Sequence, residues 1–146
     1  MAKRNSLLFA LAVFFTSQLW SGSTLSQTLN KPNTINYIEM PARDISKTKT
    51  FFESVFGWSF TDYGPDYTSF SHREAGVDGG FYKLDKDMAT ANGGALIVLY
   101  SDDLALLEEK IVASGGQVTV PVFSFPGGKR FHFTDPSGNE FAAWTE

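Results

Sequence analysis

The sequence predicts an α+β fold in which two paired β-α-β-β-β modules form one curved, eight-stranded mixed sheet with helices outside. The first observation behind this prediction is that strand-like and helix-like segments recur in the same order in both halves of the chain. The second is that each predicted helix follows an aspartate and stops at glycine. The third is the composition: 146 residues, 42% hydrophobic and 19% charged, suit one globular domain. We expect this domain at 34–146, with modules at 34–85 and 95–146.

The first module starts with a strand. Residues 35–40 alternate between two sets of side chains, as expected for a half-buried strand, and Pro41 is predicted to end it. Asp44 then suits a helix N-cap, and apolar side chains recur at helical spacing until Gly57 stops the helix. The three strands predicted to complete the module lie at 58–62, 67–72 and 81–84.

The second module repeats this order. Residues 95–100 form an apolar run of strand length, and Asp103 suits the N-cap of a second helix. A shift of 59 positions places Asp44 on Asp103 and Gly57 on Gly116, which indicates an internal repeat. The remaining predicted elements are strands at 118–123, 130–134 and 140–144 and a polar linker at 85–94.

The N-terminus has the layout of a secretory signal peptide, predicted at 1–26 and followed by a short leader at 27–33. A basic start precedes an unbroken apolar run at 7–15, and small residues follow that run. Because the run is shorter than the roughly 20 apolar residues of a spanning helix, we expect cleavage, at a bond that the sequence leaves open. The mature protein is expected to be periplasmic or secreted, without a stable membrane span.

Composition excludes several classes of function. The chain has no cysteine, which excludes disulfides, thiolate nucleophiles, zinc ribbons and iron–sulfur clusters. Its net charge of −4 supplies no basic field for a phosphate backbone, so no nucleic-acid partner is expected. We also expect no bound cofactor.

Three segments carry a family resemblance: NYIEMPARDI at 36–45, FFESVFGW at 51–58 and DPSGNEF at 135–141. Together with the repeated β-α-β-β-β order, they resemble the vicinal oxygen chelate superfamily. That superfamily includes glyoxalase I, extradiol dioxygenases, fosfomycin-resistance enzymes and bleomycin-resistance proteins. The resemblance covers about residues 34–146 and implies the glyoxalase-like fold.

The resemblance also implies where a metal ion would bind. Metal enzymes of this superfamily use His or Glu from the first and last strands of each module. These positions fall on Tyr37, Leu96 and Ala142, with the fourth near Gly80 or Tyr82. Leucine and alanine have no lone pair to donate, and tyrosine is a reluctant ligand at neutral pH. We therefore predict no metal site of the usual kind.

A rebuilt site is the alternative. Strand alternation turns Glu39, His132 and Glu140 toward the concave face, where they could act in acid–base catalysis or hold a new metal ion. The simpler interpretation is that His132 bonds to a neighbouring strand, and only convergence of all three residues would change it. The residues predicted to line a ligand pocket are Tyr37, Tyr82, Leu96, Arg130, Ala142 and Trp144.

Two main functions follow. One is a metal-independent binding protein, resembling the bleomycin-resistance branch, that holds a small molecule in the cup or between two subunits. The other is a lyase, isomerase or dioxygenase that uses His132 with Glu39 or Glu140. An accessory protein that binds another exported protein is a third interpretation. Monomer and homodimer both stay open.

Overall fold

The computed structural model describes residues 31–146, and its elements follow the predicted repeat. The predicted signal peptide, at 1–26, and part of the leader lie outside these residues. The first module contains β1 (Tyr37–Ala42), α1 (Ile45–Phe56), β2 (Phe60–Asp62), β3 (Tyr67–Phe70), α2 (His72–Ala75) and β4 (Asp78–Lys83). The second contains β5 (Ile97–Tyr100), α3 (Leu104–Ala113), β6 (Gln117–Phe125), β7 (Gly128–Thr134) and β8 (Glu140–Thr145). None of the helices in this part of the chain is long and apolar enough to cross a membrane.

Each module builds one mixed sheet, and the two sheets have the same topology. The strand order is β1-β4-β3-β2 in the first sheet and β5-β8-β7-β6 in the second. In both, the first strand pairs in parallel with the last, and the other pairs are antiparallel. This confirms the α+β class and the internal repeat. The eight strands form two hydrogen-bonded sheets of four and not one continuous sheet. A cavity of about 500 Å³ has walls from both β1 and β5.

A phenylalanine-rich core holds the two sheets together. The ring of Phe52 on α1 lies 5.1 Å from that of Phe81 on β4 and 5.4 Å from that of Phe141 on β8. All three side chains are fully buried. Burying a phenylalanine contributes about 1.5–3 kcal/mol, so the shared face of α1 is the main tie between the modules.

The predicted helix caps are confirmed. The side chains of Asp44 and Asp103 each accept a backbone N–H at 3.0 Å from the residue three positions on. Gly57 ends α1 with φ 70°, but after α3 the left-handed residue is Gly115, with φ 90°, one position before the repeat predicts. Gly116 instead allows close packing, since a Cβ there would lie 2.8 Å from a β7 carbonyl oxygen.

Most predicted strand boundaries were wrong by one to three residues, and two of these differences have a clear physical cause. Pro41 lies inside β1, which tolerates it because β1 is an edge strand. The strand predicted at 67–72 ends at Phe70, and His72 begins the short helix α2. The side chain of Ser71 caps α2, and a carboxylate oxygen of Asp78 accepts the backbone N–H of His72 at 2.7 Å. These side-chain hydrogen bonds favour a helical turn at His72 over a continued strand.

The turn between β7 and β8 ties the second module to the first. Its Asn139 side chain donates to the carbonyl oxygen of Pro41 at 2.8 Å and accepts the backbone N–H of Met88 at 2.7 Å. The buried carboxylate of Asp135 accepts from the Asn139 backbone and side chain at 2.9 and 3.0 Å. The predicted linker is therefore docked against the domain, and it contains a short 3₁₀ turn at Thr90–Asn92.

Candidate functional site

The predicted site residues divide between the two sheets, on the faces turned away from α1. Tyr37 and Glu39 alternate along β1 with the more buried Ile38 and Met40. On the second sheet, the side chains of Arg130, His132 and Trp144 share the corresponding face with that of Glu140. Each sheet thus has its own candidate cluster.

The cluster on the first sheet is a hydrogen-bonded group of two tyrosines and a carboxylate. The Tyr67 hydroxyl donates to Glu39 Oε1 at 3.0 Å and lies 2.6 Å from the Tyr37 hydroxyl. Burial, together with the hydrogen bonds to Tyr37 and Glu39, raises the pKa of Tyr67 above its usual range. Tyr67 is therefore a neutral phenol that acts as a donor to the carboxylate.

A glycine makes room for this group. The Tyr67 hydroxyl passes over Gly80, where a Cβ atom would lie only 2.3 Å from Tyr67 Oη. Tyr82, two residues further on β4, is in register with Tyr67 on one side and Pro41 on the other. Gly80, one of the two residues predicted near the family's fourth metal-ligand position, is thus covered by the phenol of Tyr67.

A cavity of about 540 Å³ opens beside the tyrosines. Its volume lies within the range of small-molecule sites, about 300–1,000 Å³. Phe60 and Phe70 supply apolar wall, and Arg73, Glu74 and Asp78 supply charge. The hydroxyl groups that line the cavity belong to Tyr37, Ser59, Thr61, Tyr63, Tyr67, Ser69 and Ser71.

The cluster on the second sheet contains a histidine–carboxylate pair. His132 Nδ1 lies 3.2 Å from Glu140 Oε1, and the other Glu140 oxygen accepts from the Thr90 hydroxyl at 2.6 Å and backbone N–H at 2.8 Å. The hydrogen bonds from Thr90, with a smaller contribution from His132, hold the pKa of Glu140 below its usual range. His132 Nε2 is buried and has no hydrogen-bond partner among residues 31–146. The Glu140 carboxylate is thus anchored by Thr90, and it orients the imidazole ring of His132.

Aromatic rings surround Arg130 on the same face. Its guanidinium carbon lies 5.1 Å from the centre of the Phe123 ring and 5.5 Å from that of Phe125. Trp144 is in register with Arg130, and its ring contacts those of Tyr100 at 5.3 Å and Phe125 at 6.3 Å. The second sheet therefore presents an aromatic wall around a cation.

The residues at the family's remaining metal positions do not suit a metal ion. Leu96 precedes β5, and Ala142 has no solvent exposure beneath its neighbours. Among residues 31–146, no three His, Asp or Glu side chains are grouped so that they could hold an ion. Glu39 accepts a hydrogen bond from Tyr67 on the first sheet, whereas His132 and Glu140 pair with each other on the second. The three residues therefore do not form one cluster.

Sequence reasoning missed four of these participants. Tyr67 and Phe123 lie in predicted strands, at 67–72 and 118–123, so alternation could have indicated which face of the sheet each side chain occupies. Phe125 lies beyond the predicted end of its strand, because β6 extends to 125. Thr90 had no local signal, because its bond to Glu140 spans 50 residues.

With this geometry in hand, comparison with known proteins gives the family. A family model described as the Glyoxalase/Bleomycin resistance protein/Dioxygenase superfamily matches residues 34–143. The chain belongs to this superfamily. Curated superfamily relatives named "Putative glyoxylase CFP32", from Mycobacterium bovis and Mycobacterium tuberculosis, are each 28% identical over 134 residues. The match covers 78% of this chain and 46% of each relative, so the chain spans about half their length.

Solved structures share the superfamily fold. A glyoxalase-related enzyme from Fulvimarina pelagi has a TM-score of 0.61 and 21% identity, over 78% of this chain and 88% of that one. The fosfomycin resistance protein FosX from Listeria monocytogenes gives 0.62 and 18%, over 77% and 93%. Lactoylglutathione lyase from Agrobacterium tumefaciens gives 0.57 and 20%, over 78% and 94%. At these identities the likeness shows the fold alone.

Proposed function

We propose that this superfamily member is an exported protein that binds a small molecule without a divalent metal ion. The observation that carries the proposal is the bonded group of Tyr37, Tyr67 and Glu39, which covers the metal-ligand positions of the first sheet beside a cavity of about 540 Å³. The usual metal chemistry of the superfamily requires His or Glu ligands at these positions, and this chain has the hydrogen-bonded tyrosines there instead.

The donor set supports metal independence. Tyr37 already shares a hydrogen bond with Tyr67, and a neutral phenol is a weak ligand. Leu96 and Ala142 have no lone pairs, so the second sheet offers nothing at its two family positions. No step that needs a Lewis acid is therefore assigned to this protein.

The lining of the cavity supports a ligand with both polar and apolar parts. Three of the seven hydroxyl groups, on Tyr37, Tyr67 and Ser71, already bond within the protein, and the other four can donate hydrogen bonds to a ligand and accept them from it. Phe60 and Phe70 can pack against an apolar body. Hydroxyls match neutral polar groups on a ligand without the cost of desolvating a charge. The first-sheet cavity thus favours a hydroxyl- or carbonyl-bearing molecule with an apolar body.

Export is proposed from the sequence at 1–26, which has a basic start, an apolar run and small residues. We expect the full chain, expressed in a Gram-negative bacterium, to be recovered from the periplasm or medium in a shortened form. Replacing Leu8 and Leu11 in the apolar run with Asp should leave it full-length in the cytoplasm. Equal recovery from the cytoplasm with and without these substitutions would contradict export.

A fragment screen on chelator-treated protein tests the binding proposal. We expect hits that shift the amide signals of Tyr37 and Tyr67 in ¹⁵N-resolved NMR spectra and that do not depend on added metal. Ser69→Leu, which fills the cavity, should abolish these shifts, whereas Ser124→Leu on exposed β6 surface should leave them unchanged. Hits that require a divalent ion, or that survive Ser69→Leu, would overturn the proposal.

The His132–Glu140 pair favours a second candidate, a lyase or isomerase that uses acid–base chemistry. An oriented imidazole next to an anchored carboxylate is a common proton-transfer device. Two neighbours in fold are a lactoylglutathione lyase and a fosfomycin resistance protein, so lactoylglutathione and fosfomycin are the first compounds to assay. Turnover should be lost in His132→Gln and kept in His72→Gln. Equal turnover by the two variants would reject this candidate.

A further inference from the structure

Arg130 is a cation with no anionic partner in the described part of the chain. None of the ion pairs formed by residues 31–146 includes it, and its Nε atom is buried without a hydrogen-bond partner. Acidic residues are not scarce, since the chain has 16 Asp and Glu against 12 Lys and Arg. Buried polar atoms in folded proteins are normally paired, so the unpaired Nε of Arg130 indicates an acceptor that lies outside residues 31–146.

A second open nitrogen lies next to it on the same face. His132 is two positions from Arg130 on β7, and its Nε2 atom is likewise buried without a partner. The Phe123 ring lies 6.0 Å from the imidazole and 5.1 Å from the guanidinium, so one ring borders both groups. Two neighbouring side chains therefore present unused nitrogen atoms under the same aromatic ring.

The nearby carboxylate cannot serve as the missing acceptor. One oxygen of Glu140 faces His132 Nδ1, and the other accepts two hydrogen bonds from Thr90. Glu140 is also in register with Thr134, four residue pairs along the strands from the Arg130–Trp144 pair. Glu140 thus fixes the histidine and leaves Arg130 open.

We propose that Arg130 and His132 form a subsite for an organic anion with a carboxylate group and a planar, apolar body. A guanidinium can donate two parallel N–H bonds to a carboxylate, a geometry that a lysine cannot match. The aromatic side chains of Phe125 and Trp144 flank Arg130 and offer faces and edges for a planar body. This inference goes beyond the binding function proposed for the first-sheet cavity, because the subsite lies on the second sheet. It shares His132 with the acid–base candidate but does not depend on turnover.

Benzoate, with acetate as the matched probe that lacks the ring, tests the subsite on the purified protein. We expect benzoate to shift the Arg130 Nε–H signal saturably in NMR spectra, and acetate to bind at least about tenfold more weakly because it lacks the stacking body. Arg130→Gln should weaken benzoate binding at least about tenfold. Arg43→Gln is the control, since Arg43 is already paired with Asp85 and Asp87 at 3.2 and 3.3 Å, and it should bind benzoate like the wild type.

Three results would overturn the subsite: no saturable shift at Arg130, equal affinity for acetate and benzoate, or wild-type benzoate affinity in Arg130→Gln. If Arg130→Gln fails to fold, Arg130→Lys takes its place, because it keeps the charge and loses the planar fork. A folded Arg130→Lys protein with wild-type affinity for benzoate would equally reject the proposal.

Discussion

Asn139 donates a hydrogen bond across 98 residues of chain to the carbonyl oxygen of Pro41, at 2.8 Å. Asn139 has no solvent exposure, and it lies in the turn before β8, whereas Pro41 lies in β1. The bond therefore joins the last strand of the second module to the first strand of the first. Together with the shared face of α1, it fixes how the two sheets are placed.

Asn139→Ala should destabilise the protein by roughly 2–4 kcal/mol, because it leaves the Pro41 carbonyl and the Met88 N–H buried without partners. Urea unfolding followed by circular dichroism measures this change. Asn92→Ala is the matched control, since Asn92 is exposed and its side chain bonds only to Asp87 within the described chain. A loss below about 1 kcal/mol for Asn139→Ala would show that the turn does not hold the modules together.

Asp135 makes the stability of the domain depend on pH. Burial raises its pKa from 3.8 to about 6, despite the hydrogen bonds that its carboxylate accepts from Asn139 and Ser137. The folded state therefore binds this proton more tightly than the unfolded state. The stabilising contribution of this proton to the free energy of unfolding is fully present below about pH 4 and is lost as pH rises through about 6. The change is about 3 kcal/mol.

A ¹³C NMR titration of the Asp135 carboxyl should give a midpoint near 6. Urea unfolding at pH 4 and at pH 7 should show the stabilisation from the Asp135 proton in the wild type at pH 4 but not at pH 7. This contribution to the difference between the two pH values should be absent in Asp135→Asn. The lowered pKa values of Asp62, Asp78 and Glu140 act in the opposite direction, and Asp135→Asn leaves them in place. An Asp135 midpoint below 4 would contradict this account.

Tyr67→Phe should lower the free energy of unfolding by about 1 kcal/mol, because Glu39 and Tyr37 lose their shared hydroxyl partner. Tyr63→Phe is the control, since Tyr63 is 65% exposed and its hydroxyl makes no hydrogen bond within residues 31–146. Thermal unfolding of the three proteins gives the comparison. Equal stability of the two variants would mean that the tyrosine group has no structural role.

Thr90→Val should raise the pKa of Glu140 toward its ordinary value, since hydrogen bonds from Thr90 are the main cause of its lowering. The carboxyl titration of Glu140 by ¹³C NMR measures the change. The backbone N–H of Thr90 stays in place in this variant, so the pKa should remain partly lowered. An unchanged titration would show that the segment carrying Thr90 is not docked on β8 in solution.

The sequence was sufficient for elements whose cause is local. Alternation along β1 and the caps at Asp44 and Asp103 fix their own strand and helices, and these predictions were confirmed. Helix α2 was missed because its start depends on Asp78, which is six residues away and on another element. Whether β1 and β5 share hydrogen bonds is likewise decided by packing between modules, which no local pattern records.

The candidate site shows the same limit. Alternation placed His132 and Glu140 on one face, and they do meet at 3.2 Å. Alternation placed Glu39 on the corresponding face of its own sheet. It could not show that Tyr67 would donate a hydrogen bond to the Glu39 carboxylate. That bond depends on the register of β3 against β4 and on the missing side chain at Gly80.

The most direct test of the central claim is the metal content of the purified protein, measured by elemental analysis before and after incubation with Ni²⁺, Zn²⁺, Mn²⁺ and Fe²⁺. We predict no stoichiometric metal under any of these conditions, while the ligands found in the fragment screen still bind. One ion per chain that is lost in Glu39→Gln or in His132→Ala would contradict the account and establish a metal site on that sheet.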